Sequence, residues 1–199
     1  MADVVVVRPE TSAVSFGLKK SSGWWGILFA ITTEAAIFAY LLFSYYYMAV
    51  EAHGTWPTVA PSLKLALPNT IILLLSSVAI WWAERQFVVA RTSEALVGLA
   101  IAAGLGLVFL GIQLVEWHNK SFSMSSNPYG SLYFTITGFH MAHVVVGLVI
   151  MAALLAWMGL GLLSDRRNVA ISVGAIYWHF VDAVWLAVFF TFYITPYLS

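Results

Sequence analysis

The sequence contains no cysteine and few charged residues. Of its 199 residues, 9% are Asp, Glu, Lys or Arg and 61% are hydrophobic. A soluble domain carries about 25% charged residues and at most about half apolar ones, so the composition indicates a membrane protein. The absence of cysteine excludes disulfides, iron–sulfur clusters, covalently attached c-type haem and thiolate copper or zinc sites. The net charge of zero offers no basic surface for nucleic acid.

The first 23 residues are mixed and polar. They include Arg8, Glu10 and two lysines. A secretory signal has a short apolar run followed by a small-residue cleavage site, and these residues do not show that pattern. We therefore expect residues 1–23 to form a cytoplasmic N-terminal arm. Residues 24–199 are expected to form a single transmembrane domain.

Five apolar segments follow the arm, and each reaches the ~20 residues needed to span a membrane. They cover residues 24–48, 63–83, 93–117, 131–155 and 169–194. The joints hold charges and turn residues, as in "EAHGTWPTVAP" and "HNKSFSMSSNPYG". Thr92 or Ser93 is predicted to cap the third helix. The sequence thus predicts an all-α polytopic membrane protein, a bundle of five transmembrane helices.

Lysine and arginine are distributed unevenly between the two sides of this bundle. Lys64 and Lys120 fall on one side. The N-terminal side holds the remainder, Arg8, Lys19, Lys20, Arg85, Arg91, Arg166 and Arg167. Because positively charged loops stay in the cytoplasm, we predict a cytoplasmic N-terminus and a C-terminus on the periplasmic or outer side.

An acidic residue, Glu34, lies inside the first apolar segment. It follows Trp24 by a helical rise of roughly 15 Å, which is close to the middle of a ~30 Å hydrocarbon core. An ionisable residue at this depth is costly and by default indicates a function. Because desolvation disfavours a charged carboxyl, Glu34 is predicted to hold its proton. It is either a proton-holding or conformational residue, or a structural acid hydrogen-bonded across the bundle.

Other ionisable side chains recur at helical spacing. "GFHMAHVVVG" contains His140 and His143, "YWHFVDAVW" contains His179 and Asp182, and Glu116 lies near the outer end of the third segment. Helix bundles can bind metals through Glu and Glu-x-x-His ligands, so a metal site is an alternative to an interhelical polar network or lipid contacts. The denser ligand pattern of such sites is missing, and we therefore predict no metal.

Five stretches from residue 24 to the C-terminus occur in a recognisable order. They are "TEAAIFAYLLFSYYY", "LPNTIILLLSSVAIWWA", "GLVFLGIQLVEWHN", "YGSLYFTITGFHMAHVVVG" and "YWHFVDAVWLAVFF". Together they resemble subunit III of the haem–copper terminal oxidases, the cytochrome c oxidase subunit III family, in its short five-helix form. Many members have Gly in place of Met141 and Phe or Tyr near Trp117, which we interpret as packing variations.

The resemblance implies a chain without haem or copper, both of which are expected in partner subunits. It implies direct packing on the catalytic subunit I of a proton-pumping oxidase in aerobic respiration. The further partners that it implies are subunit II, other oxidase subunits and a respiratory supercomplex. The chain would stabilise subunit I, support its proton uptake and bind phospholipid. Glu34 matches the family's membrane carboxyl. His140 and His143 match the family's HxxH motif, and His179 and Asp182 match its WHFVD motif.

The electron donor of such a complex is left open by this sequence. Cytochrome c oxidase is favoured, and the alternatives are a quinol oxidase or a homologue associated with nitric oxide reductase. A stand-alone His and carboxylate membrane metalloenzyme is the remote alternative. The compact five-helix chain resembles bacterial members, so we expect the bacterial inner (plasma) membrane. The chain would then be part of an oxygen-reducing enzyme without carrying its redox centres.

Overall fold

The structure, a computed structural model, describes residues 22–52, 56, 61–163 and 168–198. Its helices are α1 (Ser22–Glu51), α2 (Leu63–Val88), α3 (Thr92–His118), α4 (Pro128–Gly159) and α5 (Asn168–Phe189). All five are long and apolar enough to cross a membrane, which confirms the predicted bundle. Residues 1–21 of the predicted arm lie outside the described residues, and the orientation of the termini stays a prediction.

The helix ends follow from local chemistry, with one correction. Asn127 accepts a hydrogen bond from the Gly130 N–H at 2.6 Å and so caps α4. The prediction that Thr92 or Ser93 caps α3 was wrong, because the helix already begins at Thr92 and Arg91 precedes it without a side-chain capping bond. The turn before it explains the shift. Ala90 adopts a positive φ of 60°, and the Arg91 N–H bonds back to the Gln86 carbonyl at 3.0 Å, which ends α2. The Arg91 carbonyl oxygen then accepts from the Ala95 N–H at 3.0 Å, so α3 begins at the next residue, Thr92.

The fifth helix is predicted to run to residue 194, but its α-helical part ends at Phe189. The chain continues as a π-helical turn over Phe190–Ile194 and a short 3-10 turn over Thr195–Tyr197. Such wider turns are common at functional sites, and this one carries Tyr193 into the bundle, where it is fully buried. The last helix therefore reaches the predicted length with a changed geometry.

The bundle is built around α5. This helix packs on α1, α2 and α4, while α2 and α3 form a close antiparallel hairpin. Trp178 and Trp185 of α5 are fully buried at its centre. A Cβ atom added to Gly147 would lie 2.6 Å from Trp178 Cε3, and one added to Gly106 would lie 2.8 Å from Trp178 Cη2. The indole of Trp178 thus fits between α3 and α4 because both glycines lack a side chain.

Helix α1 is the most exposed of the five spans. Only 6% of its most apolar stretch is buried, compared with 44% for the last span. Its outward surface is aromatic and includes Phe29, Tyr40, Phe43 and Tyr47. A helix that is apolar all round belongs in lipid or against another membrane protein, so α1 is the helix most open to either.

Candidate functional site

The polar side chains inside the bundle fall into three groups, and the first joins α1 to α4. Glu34 Oε2 lies 3.0 Å from His143 Nε2, with the Glu34 side chain 36% exposed and that of His143 14% exposed. Phe38 contacts the imidazole edge-on. The Tyr177 hydroxyl donates to the His143 carbonyl oxygen at 3.3 Å. The carboxyl that the sequence places deep in the membrane therefore has an imidazole partner across the bundle.

The hydrogen bonds of His143 restrict where protons can lie in this pair. Its Nδ1 is 2.6 Å from the Phe139 carbonyl oxygen, which can only accept, so Nδ1 carries a proton. Nε2 then either accepts from a protonated Glu34 or donates, as imidazolium, to its carboxylate. In both arrangements the pair shares one proton and has no net charge. A neutral pair that can move a proton internally is far less costly in a membrane than an isolated ion.

The second group joins α2 to α5. The Ser77 hydroxyl donates to Asp182 Oδ2 and lies 2.9 Å from His179 Nδ1. Because its one proton is directed to Asp182, the hydroxyl accepts from the imidazole. The sequence predicts a polar network at His179 and Asp182 but gives no sign that Ser77 connects them. The pair of serines inside the apolar run "LLLSSVAI" is the signal that could have found it.

Two neighbouring hydrogen bonds continue this line of polar contacts between α2 and α5. Trp178 Nε1 donates to Ser76 Oγ at 2.9 Å, and Trp185 Nε1 donates to Thr70 Oγ1 at 3.0 Å. Each indole satisfies its only donor in this way while its ring stays in the apolar core. The α2–α5 interface is therefore fixed by directional bonds as well as by packing.

The third group lies at the C-terminal end of α3. Glu116 Oε1 accepts from the Tyr193 hydroxyl and lies 2.9 Å from Lys120 Nζ. The Tyr133 hydroxyl is 3.0 Å from that of Tyr193. Tyr193 comes from the π-helical turn of α5, so this group ties the ends of α3, α4 and α5 together. Its tyrosines were not predicted, because nothing in the sequence relates their positions to Glu116.

His140 belongs to none of these groups. It is fully buried, with its ring 4.8 Å from that of Trp185 and 5.9 Å from that of Phe109. Neither ring nitrogen has a hydrogen-bond partner among the described residues. The two histidines of the HxxH therefore have different neighbours: His143 contacts α1, whereas His140 packs among the aromatic rings of α3 and α5.

The metalloenzyme alternative requires Glu34, Glu116, His140, His143, His179 and Asp182 to converge on one ion, and they do not. Within the described part of the chain, no three His, Asp or Glu side chains come close enough together to hold a metal ion. Each polar group instead pairs one or two of them with hydroxyl, imidazole or ammonium partners. This arrangement is that of an interhelical polar network, the reading that the sequence favours.

Comparison with known proteins agrees with the motifs. The family model described as cytochrome c oxidase subunit III matches residues 5–197. The chain is 32% identical to cytochrome c oxidase subunit 3 of Triticum aestivum, over 92% of this chain and 71% of that protein. The subunit of Ornithorhynchus anatinus is also 32% identical, with 92% and 72% covered. That of Neurospora crassa is 33% identical, with 92% and 70% covered. The chain belongs to the cytochrome c oxidase subunit III family.

Proposed function

We propose that this chain, as subunit III of a haem–copper oxidase, stabilises the catalytic subunit I and supports its proton uptake. It does so without a redox centre of its own, since haem and copper reside in partner subunits. Cytochrome c is the favoured electron donor, and subunits I and II are the favoured partners. The complex would lie in a bacterial plasma membrane with phospholipid bound to this subunit.

The observation that carries this proposal is the Glu34–His143 pair. Glu34 Oε2 lies 3.0 Å from His143 Nε2, and the Glu34 side chain is 36% exposed on α1, the helix most open to a partner. A partner seated on α1 would cover the carboxyl and bring a proton-holding group to the subunit boundary. A purely structural acid would instead be expected inside the bundle, as Glu116 is.

Replacing Glu34 by glutamine tests the role of the shared proton. The amide can still donate to His143 Nε2, so we expect the complex to assemble. Because an amide cannot release a proton, we expect the oxidase to lose activity after several-fold fewer turnovers and to take up protons more slowly. The measurement is the number of turnovers before inactivation, together with the rate of proton uptake in reconstituted vesicles.

The matched control is Glu94→Gln in the first turn of α3. Glu94 is exposed and forms an ion pair with Arg91 at 3.4 Å, so its loss should leave turnover unchanged. A His143→Gln variant should resemble Glu34→Gln, and the double variant should be no worse than either, because the two residues act as one unit. An unaltered turnover lifetime and unaltered proton uptake in Glu34→Gln would reduce the pair to a structural contact.

A further inference from the structure

Most of the buried polar atoms that lack a hydrogen-bond partner lie in one region between α2, α3 and α4. Seven buried side-chain nitrogen and oxygen atoms of the described residues have no partner, and six of them belong to Asn69, Gln113, Glu116 and His140. An unpaired polar atom in an apolar interior is costly, and native proteins leave few of them. Their concentration in one region indicates that these side chains share a ligand.

The contacts between α3 and α4 place Gln113 beside His140. On α3, Phe109, Gln113 and Glu116 share one face, because they are four and three residues apart, and seven residues separate Tyr133 from His140 on one face of α4. Glu116 Oε1 lies 3.5 Å from the Tyr133 hydroxyl. The Phe109 ring lies 5.9 Å from that of His140. The two helices therefore run antiparallel here, and Gln113 lies between these two contacts.

Helices α2 and α5 close the same region. Asn69 Nδ2 donates to the Phe109 carbonyl oxygen at 3.3 Å. In an α-helix this carbonyl also faces the N–H four residues on, so the Asn69 amide reaches the turn that carries Gln113. The Trp185 ring lies 4.8 Å from that of His140 at an angle of 32° and covers a face of the imidazole. The ring nitrogens of His140 lie at its edge and are left for another partner.

The unpaired atoms include both donors and acceptors. The Gln113 amide has a carbonyl oxygen and an NH₂ group, and a neutral His140 has one N–H and one bare nitrogen, whereas Asn69 Oδ1 can only accept. A cation would satisfy only the acceptors, and an anion only the donors. Water does both, and a buried water typically makes about three hydrogen bonds to polar groups that are otherwise unpaired.

We infer that the bundle binds at least one ordered water molecule between Gln113, His140 and Asn69. The water bridges these side chains and so joins α2, α3 and α4 by directional bonds inside an apolar core. Because Gln113 is one turn from Glu116, the bridge extends the third polar group from the C-terminal end of α3 towards the centre of the bundle. Neither residue of the proton-sharing pair takes part, so the inference does not depend on the proposed function.

Two apolar substitutions test the bridge through the sign of their effect on stability. Gln113→Met keeps an unbranched side chain of similar length, and His140→Phe keeps a planar ring. Each leaves the other bridged groups short of a partner, so we expect the folded-to-unfolded ratio of the purified chain to fall about tenfold in a dodecyl sulfate titration. The double variant should lose less than the sum, because the second change removes a group that the first left unpaired.

Atoms that are simply unpaired predict the opposite result. Each single substitution would then remove a costly polar group from an apolar site, and the chain would become more stable. Increased stability of Gln113→Met, or strictly additive effects of the two substitutions, would therefore overturn the inference.

A measurement on the wild type detects the water directly. The full chain, labelled with ¹⁵N-histidine, is reconstituted in bilayers, and solid-state NMR records magnetisation transfer from water to the ring N–H groups. His140 is fully buried, so we expect transfer to its signal, identified by its loss in His140→Phe, from internal water, and weaker transfer in Gln113→Met. The exposed His118 is the positive control. No transfer to His140, or a direct hydrogen bond between its ring and Gln113, would contradict a bridging water.

Discussion

Replacing Trp178 by alanine is expected to lower the free energy of unfolding by about 3–5 kcal/mol, the range for large aromatic residues removed from a core. The indole is fully buried and lies in the space left by Gly106 and Gly147. Its Nε1 also donates to Ser76 Oγ at 2.9 Å, and this bond would be lost. The measurement is unfolding of the purified chain in mixed micelles by titration with sodium dodecyl sulfate.

The control for this prediction is Trp157→Ala on α4. Trp157 is 48% exposed, and exposed substitutions usually change stability by no more than about 0.5 kcal/mol. A large difference between the two variants would locate the stability of the bundle at the α3–α4–α5 contact. Equal effects would mean that the indole of Trp178 is not the element around which these helices pack.

Gly147→Leu is expected to have the second largest effect, by overfilling the same contact. A Cβ at this position would lie 2.6 Å from Trp178 Cε3 and 2.7 Å from Cζ3. The rigid indole cannot move away without displacing α5. Overpacking typically costs about 1–3 kcal/mol and occasionally more, and we expect the upper end here, with little of the variant recovered in the assembled oxidase.

Gly159→Leu, on the same helix, is the matched control. A Cβ at Gly159 has no atom within 4 Å among its described neighbours, so leucine should be tolerated. Adding Trp178→Leu to Gly147→Leu should restore part of the lost stability, since the smaller partner makes room for the new side chain. Normal assembly of Gly147→Leu on its own would contradict the packing described for α4 and α5.

The five helices could be predicted from the sequence alone, because a membrane span places a simple requirement on length and hydrophobicity. A span needs ~20 apolar residues, and the charges and turn residues gather in the joints. Errors arose where backbone hydrogen bonds decide the detail. The start of α3 depends on the turn at Ala90, and the π-helical end of α5 leaves no trace in the hydropathy pattern.

The candidate site could be predicted only in part, for a related reason. Depth in the membrane singles out Glu34, and helical spacing singles out His143, but their contact joins residues 109 positions apart. Ser77 and Asp182 are separated by 105 positions. Spacing within one helix relates His140 to His143, yet α1 and α5 decide which neighbour each meets. Such partners emerge only when the bundle is assembled in three dimensions.

The role of this chain as a subunit without redox centres is tested most directly by purification in mild detergent through a tag on this chain, followed by an optical spectrum and metal analysis. We expect haem and copper to arrive on larger co-purifying subunits and to be lost when this chain is isolated from them. The haem type would also help to separate a cytochrome c oxidase from a quinol oxidase. A chain that purifies alone and carries stoichiometric iron or zinc would contradict this role and favour a stand-alone metalloenzyme.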